Sequence, residues 1–526
     1  MLFNWKSKKV EPIVNHEGEK AYKITPAMEL YSAVATSTFS DKFYEKADKR
    51  IERLRTLIAQ NDPEFVAKLA VYAREKMYLR SVPLVLTVEL SKQTNGSNVV
   101  SRLTERTVQR ADEITELLAY YAAANARVGE TKQLNKLSKQ LQKGLGAAFN
   151  KFDEYQLAKY NRDGAVKLKD ALFLVHPKAK NEAQQVIFNK IAKDELATPY
   201  TWETELSALG QVKYESDEAK MFAFRSKWEE LIDSGKLGYM ALMRNLRNIL
   251  EAEVSPKHIE KVCATLSDAK QVAKSKQLPF RYLAAYRELK KMGENAPSTT
   301  ILTGFFKKST NTSSYISSVL QTLETAIVAS VENLRGFGFD TNVVIACDVS
   351  GSMQQPISPK SKVLLYDIGL LLGMLMQSKC KNVTTGMFGD TWKSIALPTK
   401  GVLTNVDEFY RREGEVGYST NGYLVIQDLL NRKQKADKII LFTDAQLWNS
   451  NGTNDTLEKL WLRYKREVAP DAKLYLFDLA GYGQMPLRLE KNSVYLIAGW
   501  SDKVFDVLEA LENGENALSE IQKIEL

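Results

Sequence analysis

The sequence is poor in the residues that soft metals and disulfide scaffolds need. It holds three cysteines and three histidines in 526 residues, and Cys263, Cys347 and Cys380 lie far apart without a C-x-x-C pair. An odd number of widely spaced cysteines excludes a disulfide framework and a cysteine zinc site, and it is typical of a reducing compartment. No histidine follows His258, so the C-terminal half offers a metal no imidazole.

The chain also lacks a long apolar run. The longest, residues 363–376, contains Asp367 and falls short of the roughly 20 residues that a bilayer-spanning helix needs. The N-terminal residues are basic, but no apolar stretch follows them, so no secretory signal is visible. We therefore expect a cytoplasmic protein with no membrane partner.

Positive charge is concentrated in the first two-thirds of the chain. Residues 1–340 hold 52 Lys and Arg against 41 Asp and Glu, whereas residues 341–526 hold 21 against 23. A chain of this length should form two or three domains, and this division places the basic part first. The excess of Lys and Arg in residues 1–340 favours a polyanionic partner, although a basic surface kept for solubility explains this excess equally well.

Apolar residues recur at helical spacing from about residue 25 to residue 335, and alternating β-branched runs are scarce there. One helix start is explicit, since Asp62 can cap free N–H groups, Pro63 suits the first helical position and Glu64 favours the helix dipole. Further helices are predicted at residues 82–92, 111–124, 132–149, 182–193, 221–234, 239–250 and 256–267. Such a succession indicates paired helices stacked as an irregular solenoid.

Two of these segments carry a basic stripe. Lys132, Lys136, Lys139 and Lys143 recur at spacings of four, three and four, and Arg102, Arg106 and Arg110 recur at spacings of four. A stripe can neutralise phosphates, but it also occurs on ordinary solvated helices. Because several basic segments fall in one basic region, we favour a nucleic acid partner.

The densest basic group lies between residues 159 and 180 and contains Lys167, Lys169, His176, Lys178 and Lys180. His176 precedes a proline and ends an apolar, helix-like segment. A histidine in that position is more often structural than ligand-binding. Surrounded by lysines at a helix end, it could stack on a base or contact a phosphate.

After residue 339 the pattern changes to alternating strands and helices. Short apolar runs predict strands at residues 343–346, 383–388, 439–442, 474–477 and 494–498, and helix-like segments occupy residues 361–377, 423–432, 456–467 and 503–511. This alternation implies a doubly wound α/β domain, a parallel sheet with helices on both faces. Its ligands would bind at the carboxyl ends of the strands.

Candidate metal ligands occur at those strand ends. Asp348, Ser350 and Ser352 lie in the turn after the first strand, Thr420 precedes the helix at residue 423, and Asp444 follows the strand at residue 439. Two carboxylates and three hydroxyls make an all-oxygen, weakly charged site suited to Mg²⁺. The alternative is a degenerate site that keeps the fold but not the ion.

This arrangement resembles the von Willebrand factor A domain with its metal-ion-dependent adhesion site. The resemblance implies that the serines and the threonine of the set coordinate the ion and that the aspartates act largely through water. It also implies that an acidic group of a partner can complete the shell. Ser419 adjoins Thr420, and either hydroxyl could face the ion.

Three further motifs lie in the first part of the chain. They are Lys-Asp-Ala-Leu-Phe-Leu-Val-His-Pro-Lys at residues 169–178, Met-Ala-Leu-Met-Arg-Asn-Leu at residues 240–246 and Phe-Arg-Tyr-Leu-Ala-Ala-Tyr at residues 280–286. With the order of the two parts, they resemble the TROVE module of the Ro ribonucleoprotein autoantigen family. The resemblance implies a ring of helical, HEAT-like repeats over residues 1–338, closed by the A domain over residues 339–526.

The resemblance also implies a function: a non-catalytic, monomeric RNA-binding scaffold with a role in RNA quality control or decay. In that family Y-type non-coding RNA binds the basic outer surface, and single-stranded 3′ ends of misfolded RNA enter a central hole. Bacterial relatives cooperate with an exoribonuclease, polynucleotide phosphorylase, through the Y RNA.

Individual residues follow from the same resemblance. Lys169 and His176 match positions implicated in RNA contact, Arg244 belongs to the Arg-Asn-Leu motif, and Phe173 stands where relatives often have a basic residue. The predicted RNA-binding set combines these positions with the basic stripes and comprises Lys139, Lys143, Lys167, Lys169, His176, Lys178, Lys180 and Arg244.

Two other functions compete with RNA binding. The chain could be a metal-dependent protein-interaction module in which the helical part is only a platform. A metal-dependent hydrolase is disfavoured, because the sequence offers no plausible pair of nucleophile and base.

Overall fold

The computed structural model describes residues 12–14, 20–37, 49–94, 98–126, 137–294, 310–330, 341–357, 361–398, 400–447, 456–481, 484–487, 493–500, 503–512 and 518–526. The chain divides into two compact units. The α/β unit comprises Met1–Ser40, Lys49–Phe65 and Asn333–Ile524, and the helical unit comprises Asp41–Asp48, Val66–Glu332 and Glu525–Leu526. The expected boundary after residue 338 lies outside the described residues.

The N-terminal segment belongs to the α/β unit, whereas the expected division assigned it to the helical part. Its elements are β1 (Pro12–Val14), β2 (Lys20–Lys23), α1 (Pro26–Ala35) and α2 (Lys49–Ala59). In α1 the Tyr31 hydroxyl donates to the Ala498 carbonyl oxygen at 2.9 Å, and the Ser32 hydroxyl donates to Asp478 at 2.6 Å. These bonds attach α1 to residues that come more than 440 positions later in the sequence.

The helical unit is a succession of short helices, as predicted. Its helices are α3 (Pro63–Glu75), α4 (Ser81–Gln93), α5 (Val99–Thr107), α6 (Asp112–Ala126), α7 (Lys139–Phe149), α8 (Glu154–Lys159), α9 (Leu168–Val175), α10 (Glu182–Lys193), α11 (Trp202–Gly210), α12 (Asp217–Asp233), α13 (Tyr239–Arg244), α14 (Leu246–Glu251), α15 (Pro256–Ser267), α16 (Ala269–Ser275), α17 (Pro279–Glu294) and α18 (Thr310–Ala329). Helix α5 packs against α7, and α15 and α17 both pack against α18.

Local signals predict several of these helices closely. The Asp62 carboxylate accepts the N–H groups of Glu64 and Phe65 at 2.9 and 3.1 Å, so the predicted cap of α3 is confirmed. Helices α10 and α15 begin and end at the predicted residues, whereas the helix predicted at residues 239–250 is divided at Asn245 into α13 and α14. Lys132 and Lys136 of the predicted basic stripe lie outside the described residues. Among the described helices, none is long and apolar enough to cross a bilayer.

A buried ion pair connects α3 to α6. Arg74 Nη2 lies 2.7 and 3.0 Å from the carboxylate oxygens of Glu113, and Arg74 Nε donates to the Thr107 carbonyl oxygen at 2.9 Å. Glu113 also accepts the backbone N–H groups of Gln109 and Arg110. Glu113 is fully buried and Arg74 is 8% exposed. These hydrogen bonds offset the cost of removing both charges from water.

The α/β unit contains the predicted alternation. Its remaining elements are β3 (Asn342–Asp348), α19 (Leu365–Gln377), β4 (Asn382–Phe388), β5 (Trp392–Ser394), α20 (Val402–Arg412), α21 (Tyr423–Arg432), β6 (Lys438–Thr443), α22 (Leu457–Glu467), β7 (Lys473–Asp478), β8 (Gln484–Met485), β9 (Val494–Ala498), α23 (Lys503–Glu512) and α24 (Ser519–Gln522). One sheet has the order β5-β4-β3-β6-β7-β9, parallel except at β5, and a small antiparallel sheet has the order β1-β2-β8.

Successive side chains along the strands of the large sheet pack into different hydrophobic cores, one on each face of the sheet. Val344 and Leu441 belong to a core shared with α21 and α22, whereas α19 packs against β3 and β6 on the side of Cys347 and Phe442. A parallel strand buried on both faces is apolar along its whole length, which is the pattern that the sequence shows. The predicted fold class, helical repeats followed by a doubly wound α/β domain, is confirmed.

We expect Arg74→Met to reduce the free energy of unfolding of the helical unit by about 3 kcal/mol, because it leaves the Glu113 carboxylate buried without its main counter-ion. Urea denaturation followed by circular dichroism measures the effect. Arg247→Met is the matched control: Arg247 pairs with Glu251 and Glu288 at the surface, so the expected loss is below about 1 kcal/mol. Equal losses in the two variants would contradict the prediction.

Candidate nucleic-acid interface and candidate metal centre

Four of the predicted RNA-binding residues line one pocket of the helical unit. Lys139 and Lys143 lie one turn apart on α7, and His176 and Lys178 lie in the segment that follows α9. The pocket has a volume of about 460 Å³, and none of the described residues that line it is acidic. Lys139, Lys143, His176 and Lys178 are exposed. The structure therefore collects cationic groups from two segments more than thirty residues apart in the sequence.

Two amide side chains fix the second of these segments against α7. Gln142 donates to the carbonyl oxygens of Leu174 and Val175 at 3.4 and 3.2 Å. Asn150 donates to the Lys178 carbonyl oxygen at 2.9 Å and accepts the Lys180 N–H at 2.9 Å. The positions of His176 and Lys178 therefore depend on neutral residues that the sequence analysis did not single out. The signal that could have found them is helical spacing, since Gln142 lies between Lys139 and Lys143 on α7 and Asn150 directly follows that helix.

The backbone at His176 ends α9 in a left-handed conformation. His176 has φ 48° and ψ 57°, and its N–H donates to the Leu172 carbonyl oxygen at 2.9 Å. A non-glycine residue with positive φ is uncommon. Here it stops the helix and directs the chain through Pro177 along the pocket.

The other predicted RNA-binding residues are placed differently. The Lys169 ammonium lies 2.6 Å from Asp194, and the Lys167 ammonium lies 3.0 Å from Asp163. Lys180 donates to the Asn150 carbonyl oxygen at 2.6 Å, which makes it a structural contact. These lysines flank the pocket in sequence, whereas the exposed Arg244 ends α13 and is not among the pocket's lining residues.

The arginine stripe has internal partners in the structure. Arg106 forms two hydrogen bonds of 2.8 Å to the Glu75 carboxylate. Arg110 pairs with Asp112 at 2.9 Å, and its guanidinium lies 4.6 Å from the centre of the Tyr160 ring. Both side chains therefore stabilise the fold, and we assign them no part of the candidate interface.

The candidate metal centre lies at the carboxyl ends of neighbouring strands of the α/β unit. Asp348 ends β3, and Asp444 follows directly after β6, the strand that pairs with β3. Asp348, Ser350, Thr420 and Asp444 are all at most 5% exposed. The Ser350 and Ser352 hydroxyl oxygens lie 3.1 Å apart.

Backbone hydrogen bonds hold the loop that carries Thr420 against the loops that follow β3 and β4. The Gly351 N–H donates to the Tyr418 carbonyl oxygen at 3.0 Å, and the Asn421 N–H donates to the Gly389 carbonyl oxygen at 3.2 Å. A Cβ atom at Gly389 would lie 2.1 Å from the Gly417 carbonyl oxygen. The close approach of the loop after β4 to the loop that carries Thr420 therefore requires glycine at position 389.

The donor set fits a hard divalent cation. The Thr420 hydroxyl is buried and has no hydrogen-bond partner within the described part of the chain, which is costly unless a ligand satisfies it. Thr420 is 5% exposed, whereas the neighbouring Ser419 is half-buried. No described group of three or more His, Cys, Asp or Glu side chains could hold a metal ion, so any ion here needs hydroxyl ligands. Such oxygen ligands suit Mg²⁺.

Burial governs the charge of Asp348. One carboxylate oxygen accepts the Ser350 N–H at 2.9 Å and the other accepts the Thr443 hydroxyl at 2.7 Å. Burial, together with the nearby charge of Asp444, raises the pKa of Asp348 to about 7, although the hydrogen bonds from Ser350 and Thr443 oppose this rise. A bound cation would favour the ionised carboxylate. Thr443, which orients Asp348, is a further residue of the candidate centre that the sequence did not point to.

The TROVE domain family model matches residues 29–225 and 192–336 of this chain. The telomerase protein component 1 of Rattus norvegicus is 24% identical over 341 residues, and that of Mus musculus is 24% identical over 342 residues. Each alignment covers 50% of this chain and 12% of the relative. The chain thus corresponds to a small part of these longer proteins.

A solved structure has a similar fold. The crystal structure of the Deinococcus radiodurans RO (RSR) protein superposes with a TM-score of 0.57 and 14% sequence identity. The superposition covers 93% of this chain and 100% of that one. At this identity the likeness shows the fold, and it extends over both parts of the chain.

We expect Asp348→Asn to stabilise the α/β unit in the presence of EDTA at pH 8, by about 1 to 3 kcal/mol. The folded-state pKa of about 7 lies above the ordinary value for Asp. The folded protein therefore loses stability as the pH rises from about 4 to about 7, and the amide removes that loss. Thermal melts between pH 5 and pH 8 measure the effect.

The same substitution should remove any rise of the melting temperature caused by Mg²⁺. The exposed Asp471 provides the control, since Asp471→Asn should leave both the EDTA baseline and the Mg²⁺ effect unchanged. If Mg²⁺ raises the melting temperature of Asp348→Asn as much as that of the unaltered chain, the ion binds elsewhere.

Proposed function

We propose that this chain, which belongs to the TROVE domain family, is an RNA-binding component of a ribonucleoprotein. The predicted resemblance to the Ro ribonucleoprotein family is confirmed. The observation that carries the proposal is the pocket lined by Lys139, Lys143, His176 and Lys178, which has no acidic lining residue in the described chain. Exposed cations around an open pocket suit the phosphates of a nucleic acid.

We further propose which RNA the chain binds. Y-type small non-coding RNA would bind the basic surface around this pocket, and single-stranded 3′ ends of misfolded RNA would enter the central hole that the family resemblance implies. Through a Y-type RNA the protein would recruit an exoribonuclease such as polynucleotide phosphorylase. The chain itself would act as a scaffold without catalysis, since the pocket's basic residues suit phosphate binding and form no pair of nucleophile and base.

We propose a supporting role for the metal centre. The hydroxyls of Ser350, Ser352 and Thr420 would hold Mg²⁺, and Asp348 and Asp444 would supply the opposing charge. Support comes from the buried Thr420 hydroxyl, which finds no hydrogen-bond partner in the described residues. Bound there, the ion would stabilise the loops or present an open coordination position to an acidic group of a partner.

We expect the double substitution Lys139→Gln/Lys143→Gln to weaken RNA binding and to lower its salt dependence. Each lysine that releases a counter-ion contributes about 0.7 to 0.9 to the slope of log K against log salt, so the slope should fall by about 1.5. Filter binding of the full chain to a labelled single-stranded RNA across a salt series measures both quantities.

Lys270→Gln/Lys274→Gln is the matched control for this experiment. Lys270 and Lys274 are also exposed and also lie four residues apart, but on α16, so their loss should leave the slope nearly unchanged. RNA affinity that is independent of salt, or that falls equally in both double variants, would overturn the proposal.

Sequencing the RNA that copurifies with the chain tests which RNA it binds. One enriched small RNA is expected for a Y-type particle, whereas a broad population with single-stranded 3′ ends would support the misfolded-RNA role alone.

The competing function is a metal-dependent protein-interaction module, and the Thr420 hydroxyl is the observation that favours it. That function requires a protein partner whose binding is lost with EDTA, in a chain that binds no RNA. Under the RNA-binding proposal, EDTA and Asp348→Asn should leave the affinity for RNA at the lysine pocket within about twofold, because the pocket's lining residues include no member of the metal centre.

A further inference from the structure

Helix α9 presents an aromatic ring to solvent. Leu168, Ala171, Leu172 and Val175 are buried, whereas Phe173 on the same helix is 54% exposed. Single exposed apolar side chains are common at protein surfaces, so exposure alone assigns no role. The residues around Phe173 decide whether it has one.

Helical spacing places Phe173 beside a basic residue. Lys169 precedes it by four residues, so the two lie on one flank of α9, away from its buried residues, and His176, which ends the helix, follows Phe173 by three residues. The Lys169 ammonium forms an ion pair with the Asp194 carboxylate at a distance of 2.6 Å. His176 lines the lysine pocket. The exposed ring therefore lies within one helical turn of the surface to which we assign the phosphates.

We propose that Phe173 is a stacking platform for an unpaired nucleobase of the RNA whose phosphates contact the lysine pocket. This inference rests on the proposed RNA-binding function and deepens it by naming the ligand group. Every base has an apolar π face, so an aromatic ring beside a cationic surface binds single-stranded RNA without reading its sequence.

Charge complementarity favours a nucleic acid over an apolar protein segment as the occupant. The described lining of the adjacent pocket holds three lysines and a histidine but no carboxylate, and an apolar protein segment would make no use of those charges. A duplex, whose bases are stacked and paired, would gain nothing from the ring.

Two oligomers of equal charge separate stacking from phosphate binding: single-stranded oligoadenylate of eight nucleotides and an abasic oligomer with the same number of sugar–phosphate units and the same ends. Phe173→Ala in the full chain should weaken binding of oligoadenylate about tenfold and leave the abasic oligomer within about twofold. Phe173→Trp should bind oligoadenylate at least as tightly as the unaltered chain. Phe173→Leu, which keeps apolar area without a π face, should resemble Phe173→Ala.

Phe222→Ala is the matched control, since Phe222 is 68% exposed but lies on α12. It should change neither affinity, whereas Lys139→Gln/Lys143→Gln should weaken both oligomers. If Phe173→Ala weakens both oligomers equally, or neither, the stacking role is overturned while RNA binding stands. If the unaltered chain binds neither oligomer, the proposed function and the stacking role fail together.

Discussion

The hydrogen bonds from Gln142 and Asn150 to the main chain after α9 determine where the cations of the candidate interface lie. The carbonyl groups of Leu174 and Val175 belong to the last turn of α9, where no intrahelical partner is available. Gln142 donates to both of them, and Asn150 holds the chain at Lys178 and Lys180. Neutral amides can do this without adding to the charge that the pocket presents to a ligand.

The location of the pocket also sets an electrostatic condition. A helix C-terminus carries roughly half a negative charge, which by itself would repel a phosphate at the end of α9. Lys139, Lys143 and Lys178 carry three positive charges around the same space, so the attraction exceeds the repulsion. The lysines are exposed, and their effect at a distance is therefore screened by salt over about 8 to 10 Å. The lysines therefore attract only phosphates that lie close to the pocket.

Local signals in the sequence predicted much of the fold, because helices depend on nearby residues. The Asp62 cap, the bounds of α10 and α15 and the strand β9 follow from capping and periodicity over a few residues. The break at Asn245 was not predictable in this way. Asn245 is 2% exposed, and its side chain donates to the Ala241 carbonyl oxygen at 2.9 Å, so local hydrogen bonding divides a segment whose apolar spacing is continuous.

Contacts between distant residues account for two further features that the sequence could not predict. The docking of α1 depends on bonds from Tyr31 and Ser32 to residues near the C-terminus, and no periodicity reports such a pairing. In the same way, the arginine stripe has ideal spacing for phosphates, but Arg106 is engaged by Glu75 of α3. The strand-end positions of Asp348 and Asp444 in the candidate metal centre were predictable because strand ends in a parallel sheet meet at one edge. The orienting role of Thr443 required the geometry.

The two candidate sites obey opposite physical rules, and this allows them to be separated. The lysines act from an exposed surface, so salt weakens whatever they bind. The metal centre is buried, with Asp348 at 1% exposure and Ser350 at 0%, so salt screens its internal interactions much less. A chelator would remove an ion bound at the candidate centre and would leave the charge of the lysines unchanged. Because salt and chelation act on different groups, a response to only one of them identifies the site on which a given partner depends.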